Sequence, residues 1–418
     1  MNDIFDYVES LCKKAKNASR QGAALSGEKK NLLLMSAADE LESSLCDILS
    51  ANKLDLSNAE QNGVAKTMLD RLALDEKRVK AIADAMREVA SLADPVGSGE
   101  RVVRPNGLII EKTRVPLGVV GIIYEARPNV TADAAALCLK TGNACVLRSG
   151  KEALNSSRAI VNAIRRALEK GGVDPDMVCL IDSADRESSK SLMEMRGLVD
   201  VLIPRGGKGL IQSVVNNARV PVIETGAGNC HLYVDESADI DMALKVAINA
   251  KMSRPSVCNA IETILVHEGV AKEFLTQFAA MTKDGDHPLE LRGDERCQEI
   301  LGCSAASEED YDTEYNDYIA AVRVVDSINE AIDHIRRYST GHSEAIITKS
   351  LDAASLFKRD VDAAAVYVNA STRFTDGGCF GFGAEIGIST QKLHARGPMG
   401  LFELTTVKYL VEGDGQIR

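Results

Sequence analysis

Cys258 stands apart from the other cysteines of this chain in its surroundings. It lies in Arg254-Pro255-Ser256-Val257-Cys258-Asn259-Ala260, after a Pro-Ser turn and among polar neighbours, just before the β-rich run Ile261-Glu262-Thr263-Ile264-Leu265-Val266. Cys138, Cys145 and Cys179 sit inside apolar runs instead, as small packed hydrophobes do. A thiol on a loop at the mouth of a sheet is placed like a nucleophile. Only its thiolate attacks, so such a site needs nearby donors or positive charge, and Arg254 is a candidate for that charge. A turn cysteine without chemistry is the competing reading for any lone cysteine. A second chemical segment is Pro204-Arg205-Gly206-Gly207-Lys208-Gly209, between an expected strand and an expected helix. Its spacing matches neither the dinucleotide fingerprint nor the Walker loop. Gly206 and Gly207 can still offer backbone N–H groups at a helix N-terminus to a phosphate, and a plain glycine turn is the alternative.

The composition narrows the function classes. Lys plus Arg number 49 against 61 Asp plus Glu, a net charge of −12, which disfavours nucleic acid and anionic membranes as partners. No apolar run approaches the roughly 20 residues that span a bilayer, and the start Met1-Asn2-Asp3-Ile4-Phe5-Asp6 lacks the features of a signal peptide. Ten cysteines without framework spacing suggest reduced thiols in a cytoplasm. No Cys-x-x-Cys pair and no His-Glu-x-x-His helix points to zinc, so no metal is expected.

The elements that must position these residues alternate. The first hundred residues read as helices, and Asn106-Gly107 between two β-type runs signals a hairpin whose two turn positions would both need positive φ. Strands are expected at Val119–Tyr124, Ala144–Arg148, Val178–Ile181 and Val199–Ile203, with helices at Ala132–Thr141 and about Lys151–Lys170 between them. Continuous apolar strands separated by helices imply a doubly wound parallel sheet. A second α/β unit begins near Asp239 with a helix at Met242–Ala250 and holds Cys258. Gly302–Asp317 reads as an acidic surface loop, Asp326–Tyr338 as a helix and Leu404–Val411 as a strand.

Four segments in order give the chain a resemblance to the aldehyde dehydrogenase superfamily. They are Arg127-Pro128-Asn129-Val130, Val146-Leu147-Arg148-Ser149-Gly150-Lys151, Val222-Ile223-Glu224-Thr225-Gly226 and the Cys258 loop. The pattern Val325-x5-Ala331-Ile332-x-His334-Ile335-x2-Tyr338-Ser339-Thr340-x-His342-Ser343-Glu344-x-Ile346, with Tyr124-Glu125-Ala126 and the ending Ile417-Arg418, resembles the branch of that superfamily acting on an acyl phosphate. The resemblance implies reduction of L-glutamyl 5-phosphate by NADPH through a cysteine thioester, the second step of proline biosynthesis. It also implies a homo-oligomer, and leaves open whether glutamate 5-kinase is a partner that hands over the substrate.

By the same resemblance Cys258 is the nucleophile and Asn129 the oxyanion donor, a fixed amide of the kind worth roughly 3 to 4 kcal/mol. Glu224 falls where hydrolytic relatives keep a general base, and Glu314 loosely matches a residue that holds the nicotinamide ribose. Arg148 and Lys151 follow a strand where an adenosine ribose would sit, and a basic rather than acidic residue there suits the 2′-phosphate of NADPH. His334 borders a buried helix stripe and is expected to be a hydrogen-bonded structural histidine, and His342 is a candidate for contact with a substrate carboxylate or phosphate. The implied architecture is aldehyde dehydrogenase-like. Residues 1–99, 115–237 and 366–398 would form a cofactor domain, 238–365 a catalytic domain, and 100–114 with 399–418 a small β oligomerisation element. A hydrolytic aldehyde dehydrogenase using Glu224, or an inactive scaffold, are the alternatives; the presence of both Cys258 and Asn129 weakens the second.

Overall fold

The computed structural model describes residues 3–64 and 66–418, which form two compact units. The first takes the chain up to Thr225, then Gly381–Gly387 and Met399–Arg418; the second takes Gly226–Phe380 and Ile388–Pro398.

The first unit opens with helices, including Gly27–Ser43 and Glu76–Ser91. Each starts where a side chain replaces a missing backbone acceptor: Ser26 accepts from Lys29 N at 3.2 Å and Asp75 from Arg78 N at 2.6 Å. Val79, Ile82, Ala83, Met86, Val89 and Ala90 form the buried stripe of the latter helix. A parallel four-stranded sheet follows, in the order Val178–Leu180, Ala144–Ser149, Val119–Tyr124, Val201–Arg205. Val119–Tyr124 and Ala144–Ser149 are buried throughout, as strands covered on both faces must be. The order reverses between Val119–Tyr124 and Val201–Arg205, so the crevice in which doubly wound sheets bind ligands opens beyond Tyr124 and Arg205.

Gly99–Val103 and Ile109–Pro116 form the expected hairpin, and Thr405–Glu412 pairs antiparallel along the other side of Ile109–Pro116. The turn differs from the expectation, because only Gly107 takes positive φ, at 88°. Gly107 N donates to Arg104 O and Arg104 N to Leu108 O. Pro105 holds φ near −65°, which suits a type I turn and excludes one with positive φ at that position.

A seven-stranded parallel sheet makes the second unit. Its order is Ser304–Ala305, Glu290–Gly293, Ile319–Val325, Ile261–His267, Cys230–Val234, Ser343–Ile347, Ala365–Val368. Alternate residues of each strand serve opposite faces. Leu232, Ile264 and Val322 pack with Leu244, Phe274 and Phe278, whereas Tyr233, Leu265 and Ile346 pack with Ile332, Ile335 and Phe357. The second unit starts earlier than the expected 238, because Cys230–Val234 is a central strand between Ile261–His267 and Ser343–Ile347. It also keeps Ala365–Val368, paired with Ser343–Ile347, so of the returning segment expected at 366–398 only Gly381–Gly387 joins the first unit. Nor is 302–317 an irregular loop. Ser304–Ala305 pairs with the strand Glu290–Gly293, and Ser307 caps a short helix, Glu308–Tyr311, that buries Tyr311.

Candidate active site

Cys258 lies half-buried on the loop between the helix Ile240–Met252 and the strand Ile261–His267. Three contacts fix that loop. Cys230 Sγ donates to Cys258 O at 3.2 Å. Gly228 packs so closely that a Cβ on it would lie 1.6 Å from Cys258 O, so only glycine fits there. Asn259 latches the loop to the segment after the last strand of the sheet: its Nδ2 donates to Thr375 O at 3.0 Å and Arg373 O at 3.2 Å, its Oδ1 accepts from Arg373 Nη1, and Thr372 Oγ1 donates to Asn259 O at 2.6 Å. Gly228 is itself held, its N–H donating to Glu314 Oε1 at 2.8 Å.

The longest sequence motif supports this loop from below. Asn229 Nδ2 donates to Tyr311 O at 2.8 Å and Tyr338 O at 2.9 Å, and Asn229 N to Thr340 Oγ1 at 3.0 Å. Both His231 N and His231 Nδ1 meet Glu344 Oε2, while Ser339 Oγ donates to Glu344 Oε1. His334 is buried against His231, Tyr311 and Tyr338, but among the described residues neither ring nitrogen has the hydrogen-bond partner expected of it; burial pushes its imidazole down to about 2, so it stays neutral. His342 is fully buried, with Nδ1 at 2.8 Å from Ser343 Oγ and 3.7 Å from Cys230 Sγ. That interior placement removes it from direct substrate contact and makes it a support of the loop.

The ten cysteines are all thiols, in line with the reduced state expected. Burial, reinforced by the charges of Glu344 and Cys258, pushes the Cys230 thiol well above its usual range. Burial raises Cys12 and Cys179 to about 12. Such thiols stay protonated and inert. Cys46 and Cys379 are exposed and Cys303 is half-buried, so Cys258 is distinguished by its place on the loop before the strand Ile261–His267 and not by solvent access alone. No group of side chains suited to holding a metal ion occurs among the described residues.

The remaining expected residues belong to the first unit. Asn129 is exposed in the first turn of the helix Pro128–Lys140, and its Nδ2 donates to Asp133 Oδ2 at 3.0 Å. Asp133 keeps part of its surface open, yet the packed protein around it desolvates the carboxyl and pushes it up to about 6, against the opposing pull of Asn129 and Arg205. Glu224 is half-buried just before Thr225, whose Oγ1 donates to Pro204 O at 2.7 Å.

The expected cofactor residues separate. Arg148 is buried, with Nη2 donating to Asp185 O at 3.1 Å and Nε to Ser188 Oγ at 3.4 Å, so much of its guanidinium serves the neighbouring helix Arg186–Met193. Lys151 is exposed at the start of the following helical segment, and Arg186 is a further exposed cation next to Arg148. Gly207 begins the helix Lys208–Asn217, but its N–H donates to Glu125 Oε2 at 2.9 Å, and a Cβ on Gly206 would lie 2.5 Å from the same oxygen. The anion expected at this helix N-terminus is thus a carboxylate of the chain.

Residues 6–290 match the aldehyde dehydrogenase family. The chain belongs to that family. Aldehyde dehydrogenases act with a nicotinamide cofactor. The exposed cations at Lys151 and Arg186 fit the phosphate-bearing end of one. The chain is 55% identical to a protein of Caldanaerobacter subterraneus over 98% of this chain and 99% of that one, and 56% identical to one of Heliobacterium modesticaldum over 99% and 100%. Both are named gamma-glutamyl phosphate reductase. A crystal structure of the Thermotoga maritima protein of that name superposes with a TM-score of 0.95 at 48% identity, covering 98% of this chain and 99% of that one. More distant aldehyde dehydrogenases, such as an acetylating enzyme of Geobacillus thermoglucosidasius at 17% identity and TM-score 0.71, share the fold. Spacing-based reading of this aldehyde dehydrogenase missed Gly228, Asn259, Arg373, Glu125 and Asp133. Asn259 lies inside the Cys258 loop quoted above, Glu125 inside Tyr124-Glu125-Ala126, and Gly228 two residues past Gly226, but nothing in those segments gave the three residues a role.

Proposed function

We propose that this protein reduces L-glutamyl 5-phosphate to L-glutamate 5-semialdehyde and phosphate with NADPH, the second step of proline biosynthesis from glutamate. The observation that carries the reading is the Cys258 loop: a half-buried thiol on a rigid turn, in a chain whose relatives named for this reaction match it over nearly their whole length. The Cys258 thiolate attacks the acyl carbon; a C–S bond forms, the C–O bond breaks, and phosphate leaves with the electron pair. Asn129 donates an amide hydrogen to the substrate oxygen that gains charge, and Asp133 holds that amide in one orientation. The acyl group departs as an aldehyde, so no water attack is needed, and two roles stay open for Glu224: assisting proton transfer to the thiol, or shaping the nicotinamide site. The nicotinamide group, when bound, supplies the hydride that reduces the thioester. Lys151 would hold the 2′-phosphate on the adenosine ribose of NADPH, and Glu314, whose Oε1 accepts from Gly228 N, would hold the nicotinamide ribose through Oε2.

Reduction of NADP by glutamate 5-semialdehyde should require inorganic phosphate. Turnover that proceeds equally without phosphate would instead identify a hydrolytic enzyme using Glu224. The sheet of Gly99–Val103, Ile109–Pro116 and Thr405–Glu412 exposes Val102, Val103, Tyr409 and Val411, and we assign it to assembly with further copies of this chain. Deleting residues 404–418 should then lower the mass seen by light scattering; an unchanged mass removes that assignment. No helix among the described residues is long and apolar enough to cross a membrane.

A further inference from the structure

We propose that Arg254 and Arg373 form the subsite that grips the phosphate of the acyl phosphate beside Cys258, an inference that rests on the function proposed above. Arg373 lies in the short helical turn Thr372–Phe374, capped by Ser371. Its guanidinium donates through Nη1 to Asn259 Oδ1 and through Nε to Ser253 Oγ at 3.3 Å. It therefore reaches both ends of the loop that carries Arg254 and Cys258. Burial first, and then the positive charge of Arg254, hold Arg373 below the usual arginine range, while negative charge at Cys258 acts in the opposite sense. The three groups thus share one electrostatic neighbourhood.

Neither arginine forms an ion pair among the described residues. The carboxylate whose charge acts on Arg373 is Asp376, and its Oδ1 accepts from Gly378 N at 2.9 Å and Cys379 N at 3.2 Å as the cap of a turn. Two like charges held together without a counter-charge repel, and a bound anion relieves that repulsion. The planar guanidinium fork matches the oxygens of a phosphate, and Nη2 of Arg373 is not used by either hydrogen bond named above.

This placement serves both binding and departure. As sulfur bonds to the acyl carbon, the phosphate takes the C–O electron pair, gains a proton from solvent and leaves as hydrogen phosphate. The two guanidinium groups offset the charge that gathers on it. A neutral ester offers no anionic oxygens for them to hold, and a carboxylate carries less charge than the phosphate dianion, so the pair favours an acyl phosphate. Arg373 also orients Asn259, so its binding role must be separated from a structural one.

Protection of Cys258 against alkylation makes that separation without turnover. The protein is treated with iodoacetamide over a range of inorganic phosphate concentrations, and modification of Cys258 is followed by peptide mass spectrometry, because Cys46 and Cys379 are exposed too. Phosphate should slow alkylation saturably in the unaltered protein. Arg254→Gln and Arg373→Gln should each raise the half-protecting concentration roughly tenfold or more, and Arg373→Lys should recover part of it, as loss of a charge-assisted hydrogen bond implies. Arg254 is exposed and makes no hydrogen bond among the described residues, so its variant tests the subsite without disturbing the fold. No protection by phosphate in the unaltered protein, or an unchanged half-protecting concentration in either glutamine variant, overturns the proposal. A phosphate-independent oxidation of the semialdehyde would overturn the proposed function instead, and the alkylation assay does not depend on that result.

Discussion

The Cys258 loop precedes a sheet strand and the Gly206–Gly207 turn follows one, and both depend on glycine, yet the glycines do opposite things. Gly228 brings one backbone against another, and the Cys258 carbonyl has nowhere else to go. Gly206 and Gly207 make room for a side chain, the Glu125 carboxylate, which takes the N–H donor at the helix N-terminus. A backbone contact fixes a nucleophile independently of charge. A side-chain contact is a competition, which another anion can enter. The Cys258 loop is rigid by sterics, whereas the glycine turn is closed by electrostatics.

The largest effect expected from breaking the first region is chemical. Cys258→Ala should lower turnover by several orders of magnitude while NADPH binding, measured by fluorescence titration, persists. Cys230→Ala should retain most activity, and equal loss in both variants would show that the buried thiol shares the chemistry. Next comes the steric lock. Gly228→Ala must displace the Cys258 backbone, so kcat should fall by at least about a hundredfold, the scale of a 1 Å misplacement of a reacting group, with little change in the Michaelis constant for NADPH. Near-normal kcat would mean that the loop yields.

The second region sharpens the contrast through cofactor choice. With Gly207 engaged by Glu125, the 2′-phosphate of NADPH is left to Lys151 in the proposed function, so Lys151→Glu should raise the Michaelis constant for NADPH about tenfold or more and barely alter that for NADH. If both respond alike, the phosphate is recognised near Arg205 and Lys208. The smallest effect concerns pH. Above about 6 the Asp133 carboxylate is charged and accepts the Asn129 amide hydrogen; below it the group is protonated and that acceptor is weakened. Turnover should therefore rise with pH through about 6, and Asp133→Asn should flatten that rise. Because the folded carboxyl holds its proton more tightly than the unfolded one, Asp133 also lowers stability as pH climbs from about 4 to 6. A profile unchanged by the substitution would separate Asp133 from the site.

Much of this was legible in the sequence, for reasons that differ by residue. Cys258 was visible because its polar turn contrasts with the apolar runs around Cys138, Cys145 and Cys179. The motif from Val325 to Ile346 was visible because many of its residues share one task, bracing Asn229 and His231. The boundary near residue 226 was missed because Cys230–Val234 reads equally well as the last strand of one sheet or a central strand of the next; only its pairing decides. Arg148 looked like a cofactor ligand because the sequence gives its strand but not the Asp185 carbonyl that meets its side chain. Glu125 was passed over because its partner, Gly207, lies 82 residues away.

The first unit is closed by residues from opposite ends of the chain. Arg114 Nη1 donates to Thr405 Oγ1 at 2.8 Å across 291 residues, and Thr405–Glu412 pairs along the whole of Ile109–Pro116. The second unit is almost contiguous in sequence. On the ribosome, at about 5 to 20 residues per second, the strand Ile109–Pro116 waits on the order of 15 to 60 s for its second partner. The interior of the chain can complete its own sheet during that interval. Glu111, Lys112 and Arg114, charged residues on the waiting strand, discourage pairing with a wrong chain until the last residues emerge.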